Sequence, residues 1–102
     1  MGYDEALAER VRSRLPGTTP QRMFGGLTFL SGRTIAAGVY GDELLIRVDP
    51  EEMETVLTAE GARPFLMRGK PTKGFVLVDG GMLDDRRLDT WIARARTYVD
   101  TT

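Results

Sequence analysis

Chemistry in this chain falls to carboxylates, guanidiniums, ammonium groups and hydroxyls, because its 102 residues include neither cysteine nor histidine. That removes disulfides, thiolate nucleophiles and thiolate metal sites, and with them the usual general base and commonest metal ligand. Asp42, Glu43, Asp79, Asp84 and Asp85 stand near expected loops, where paired carboxylates can do acid/base work or hold Mg²⁺. Their spacing fits no metal loop and no glycosidase-like pair, and acidic turns and helix caps account for them. The expectation is a non-enzyme with no catalytic residue, no cofactor and no metal. A small-molecule-binding domain or an uncharacterised enzyme is the reading held in reserve.

The segment Arg22-Met23-Phe24-Gly25-Gly26 raises a question of recognition rather than catalysis. Two residues without side chains let a chain turn sharply or let another group come close. Neither G-x-G-x-x-G nor G-x-x-x-x-G-K-[ST] is present, and the glycines precede a strand, so phosphate binding is not indicated here. Met23 and Phe24 suit core packing or a partner groove. Arg22 stands outside the apolar run, where its guanidinium can fork onto a carboxylate of this protein or of a partner.

Charge is unevenly spread although the formal total is only -1. Asp42 to Glu60 carries a net of -6, and Ala62 to Val78 a net of +4 from Arg63, Arg68, Lys70 and Lys73 with no acid. The basic segment makes weak nucleic-acid binding an alternative, with affinity falling steeply with salt. Arg86, Arg87, Arg94 and Arg96 read as a solvated helix face, offset by Asp84, Asp85, Asp89 and Asp100.

The elements that position these groups follow from spacing. Tyr3 to Leu15 predicts an amphipathic helix with Leu7, Val11 and Leu15 on one stripe, ended by "PGTTP" at 16 to 20. Leu27 to Leu30, 34 to 40 and 44 to 49 predict three strands with tight connections, hence an antiparallel meander. Leu44, Ile46 and Val48 alternate onto one face, with Leu45 and Arg47 on the other. Asp49-Pro50-Glu51-Glu52 announces a capped helix that buries Met53, Val56 and Leu57 and stops at Gly61. "RPFLM" and "GFVLV" predict two more strands separated by a basic loop, "RGKPTK". Asp84 or Asp85 then caps a last helix with Leu88, Trp91, Ile92, Ala95, Tyr98 and Val99 inward. The expected fold is α+β, an antiparallel sheet of about five strands in the order α-β-β-β-α-β-β-α. It forms a single domain over 1–102. No apolar run approaches the ~20 residues of a membrane span. The start of the chain does not read as a secretory signal, which places the protein in the cytoplasm by expectation.

Taken together, "RMFGG" at 22 to 26, "LLIRVD" at 44 to 49, "GARPF" at 61 to 65, Lys73 before "FVLV", and "LDTWIARA" at 88 to 95 resemble the N-terminal domain of the TfoX/Sxy family of bacterial competence regulators. The resemblance covers nearly the whole chain. It implies a non-enzymatic regulatory module acting through protein contacts, in the better-known members alongside the cyclic-AMP receptor protein at DNA-uptake genes. Full-length members carry a further C-terminal domain, whereas this chain reads as a stand-alone domain. Arg22, Phe24, Gly25, Gly26, Pro64 and Phe65 are the matched family positions, and with Met23 they form the candidate partner-binding set. The partner is expected to be a regulatory protein, with nucleic acid contacted only weakly or indirectly, no membrane, and a monomer or homodimer as the assembly.

Overall fold

The computed structural model describes residues 3–23 and 25–100. Helix α1 spans Glu5–Ser13, followed by strands β1 (Thr19–Met23), β2 (Gly26–Ser31), β3 (Thr34–Tyr40) and β4 (Glu43–Arg47). A 3₁₀ turn at Pro50–Glu52 leads into the short helix α2 (Met53–Val56). Strands β5 (Ala62–Met67) and β6 (Lys70–Asp79) come next, then a 3₁₀ turn at Gly80–Met82 and helix α3 (Asp85–Asp100). All six strands join one antiparallel sheet in the order β1-β2-β3-β4-β6-β5.

Caps explain where the helices begin. Asp4 Oδ1 accepts from the Ala6 and Leu7 amides at 2.9 and 3.1 Å, a cap not anticipated from the sequence. Tyr3 consequently lies outside the helix, bridging to Gly41. Asp49 Oδ1 takes the Glu51 amide at 2.9 Å, as its spacing predicts. Glu52 does not close the capping box: its carboxylate lies 3.8 Å from Arg94 instead. Asp84 Oδ1 takes the Arg87 amide at 2.8 Å and starts α3.

The core lies between the helices and one face of the sheet. Leu7 and Val11 of α1, Val56 of α2, and Leu88, Ile92 and Ala95 of α3 close over Phe29, Leu44, Ile46, Val76 and Val78. The alternation predicted for 44–48 holds, since Leu44, Ile46 and Val48 enter this core and Leu45 does not. Leu45, Phe65 and Leu77, with Phe75 partly buried against them, make a second, smaller cluster drawn from strands alone.

Two further expectations need correction. The sheet has six strands rather than about five, because 19–23 forms β1 along the edge beside β2. A strand there has no buried alternation to advertise it: Thr19 to Arg22 are exposed and Pro20 sits at an edge, where a missing N–H is tolerated. The "RGKPTK" segment is no loop but a tight hairpin, with Met67 paired to Lys70 across Arg68 and Gly69. Both turn residues have positive φ, 53° and 80°, the backbone of a type I′ turn.

Candidate partner-binding surfaces

The β1–β2 hairpin presents the RMFGG segment. Met23 pairs with Gly26, and Gly25 takes φ 79° in the connection between them, which its lack of a Cβ permits. Gly26 answers a different demand: a Cβ there would stand 2.3 Å from the Val39 carbonyl oxygen, so only glycine lets these strands approach. Arg22 is exposed on the edge strand, and among the described residues no carboxylate pairs with it. Of its two readings, the internal ion pair is thus not realised there. Met23 is half-buried, and Phe24 lies outside the described residues.

Pro64 and Phe65 occupy the other edge of the sheet, with β2, β3, β4 and β6 between them and β1. The candidate partner-binding residues therefore divide into two edges rather than converging on one site. Phe65 is only 3% exposed and works as a brace. Its ring meets Tyr40 edge-on at 5.6 Å and Phe75 at 6.4 Å, geometries that suit aromatic quadrupoles. Arg47 lies over Phe75 at 4.9 Å and Tyr98 at 5.5 Å, its buried Nε stacked against rings rather than hydrogen-bonded.

The four cations of the 63–73 segment also divide. Arg63 forks onto both Glu43 oxygens across the sheet, and that hydrogen bond pushes its pKa up. Arg68, Lys70 and Lys73 have no carboxylate partner among the described residues. Beside them stand Leu66 and Met67, 50% and 41% exposed. Sequence reasoning missed these two, because "RPFLM" reads as a strand whose apolar residues are buried. The signal that could have found them is the R-G pair at 68–69, which makes the strand the arm of a tight hairpin at an edge.

Chemically the hairpin offers exposed apolar side chains and cations on the same pair of strands, without any convergent acid, base or nucleophile. Among the described residues no group of three or more carboxylates could hold a metal ion. No helix there is long and apolar enough to cross a membrane.

A small α+β domain with one helix-covered sheet face is the class that the fold defines. The chain belongs to the TfoX N-terminal domain family, whose model matches residues 10–98, a family associated with competence regulation. No curated protein and no solved structure matched the chain.

Proposed function

We propose that this domain is a non-enzymatic regulatory module that binds an acidic protein surface through the β5–β6 hairpin. The observation that carries the reading is the pairing of exposed Leu66 and Met67 with the unneutralised cations Arg68, Lys70 and Lys73 on one hairpin. Exposed apolar anchors give binding energy, whereas surrounding charge selects the partner and speeds encounter. Membership of a family tied to competence supports a regulatory role over a catalytic one. The RMFGG edge, with Arg22 exposed on β1, supplies a second contact for a partner large enough to reach across the sheet.

The test is a pull-down from source-cell lysate after nuclease treatment, followed by reconstitution with the purified partner. A complex retained by the native domain, lost in L66S/M67S and R68E/K70E, and weakened by salt would support the reading. Capture that vanishes with nuclease would replace it with direct nucleic-acid binding by the same cations. Equal binding by the native domain and both variants would remove the hairpin from the interface.

A further inference from the structure

Helix α3 sorts its charges onto two flanks. Asp85 accepts from Arg10 of α1 and from Arg14 at its C-cap at 3.2 and 3.1 Å, and Asp89 accepts from Arg14 at 2.5 Å. Two of the four carboxylates that balance the helix in sequence, Asp85 and Asp89, are therefore engaged on the α1 side. Arg86, Arg87 and Arg94 line the opposite side, a groove of about 580 Å³ between α3 and the α2 region. The Arg87 guanidinium donates only to the Met82 carbonyl, at 3.3 Å, and the Arg86 guanidinium has no partner among the described residues. Arg94 has Glu52 at 3.8 Å, the far limit of an ion pair.

The floor of this groove is apolar. Val56, Ala59, Met82 and the half-buried Trp91 contribute to it, and Trp91 lies one turn from Arg87 and about one turn from Arg94 on the same helix face. Two carboxylates also reach the rim. Asp84 is engaged as the α3 cap, whereas Glu60 stands on the α2 wall. The groove is thus polarised, with guanidiniums along α3 and a carboxylate opposite. Its volume falls within the range of small-molecule sites, and a flat apolar floor beside unneutralised cations is the pattern that orients an amphiphilic ligand.

We infer that the α2–α3 groove is a binding site for a small organic anion with a flat apolar body, its ring over Trp91 and its anionic group toward Arg86 and Arg87. This site lies on the helix side of the sheet and is independent of the hairpin reading, so either stands if the other fails.

Trp91 is the chain's single tryptophan, so selectively excited indole fluorescence originates in this groove, and the R86A/R87A variant separates probe bound here from probe bound elsewhere on the domain. The probe is anilinonaphthalene sulfonate, with phenylnaphthylamine as the analogue that keeps the rings and lacks the anion. The expected result is saturable energy transfer from Trp91 to the sulfonate probe. Affinity should be at least about tenfold weaker in R86A/R87A, the scale of a lost charge-assisted hydrogen bond. Binding of the neutral analogue should be weaker by a similar factor. Both arginines are exposed, and an unchanged melting temperature in the variant confirms that the groove itself persists. Equal affinity for the neutral analogue, equal affinity in the variant, or a linear response without saturation would each overturn the inference.

Discussion

Leu44 and Leu45 are adjacent leucines in one strand, 0% and 2% exposed, yet they belong to different structures. Leu44 enters the main core beneath the three helices, where neighbours come from strands and helices alike. Leu45 points the other way, into a smaller cluster with Phe65, Leu77 and Phe75 from neighbouring strands. Equal burial therefore does not mean equal confinement. Side chains hemmed in by two layers have little room to relax, whereas those covered by rings at a sheet surface can be followed inward by the rings. The helix-covered face holds the larger core, and the opposite face carries only a thin cluster of strand side chains.

The largest expected effect tests that contrast directly. L44A should destabilise the domain toward the upper part of the ~2–5 kcal/mol range for a buried leucine, and L45A toward the lower part. Urea denaturation of the two variants side by side measures the difference; an equal or greater loss for L45A would show the strand-only cluster to be as rigid as the core. Next in size comes G26A, expected to cost about 1–3 kcal/mol because its methyl group would press on the Val39 carbonyl from the neighbouring strand. A wild-type midpoint in G26A would mean that β2 and β3 can separate without penalty. D49A removes the side-chain acceptor of the Glu51 amide and should lower stability by about 0.5–2 kcal/mol, loosening the α2 cover. An unchanged denaturation midpoint would exclude that role.

Smaller effects belong to the surface. R14A should shift stability by no more than about 1 kcal/mol, since its partners Asp85 and Asp89 are largely exposed. The Asp89 hydrogen bond pushes the Arg14 pKa upward, so this contribution is present at neutral and mildly alkaline pH and is lost as pH rises through guanidinium titration. A flat stability profile for the wild-type minus R14A difference between neutral and mildly alkaline pH checks the sign. R22A should leave the unfolding free energy within about 0.5 kcal/mol of wild type while weakening partner capture. Loss of both together would assign Arg22 to the fold instead.

Much of the architecture was legible because periodicity and capping are local. The 34–40 strand, the alternation through Leu44, Leu45 and Ile46, the Asp49 cap and the buried stripe of α3 all follow from spacing and side-chain chemistry. Strand β1 was not legible, since an exposed edge strand containing proline lacks the apolar alternation that marks a half-buried one. The site was less legible than the fold. Arg63 looks like one of four free cations until the sheet brings Glu43 beside it, a partner 20 positions away. Phe65 looks like a contact residue until the aromatic rings of β3 and β6 are seen to enclose it.

The sequence by itself determined the α+β class, the inward faces of its main elements, and the exclusion of thiol and imidazole chemistry, because each depends on residue type or on spacing within one element. Only the tertiary structure decided which charges remain available. Asp85 and Asp89 offset the arginines of α3 in any linear count, but helix geometry sends those acids toward Arg10 and Arg14 and turns Arg86 and Arg87 toward the α2 groove. Coulomb attraction falls with distance through the fold and not along the chain, so neutrality in sequence became separation in space.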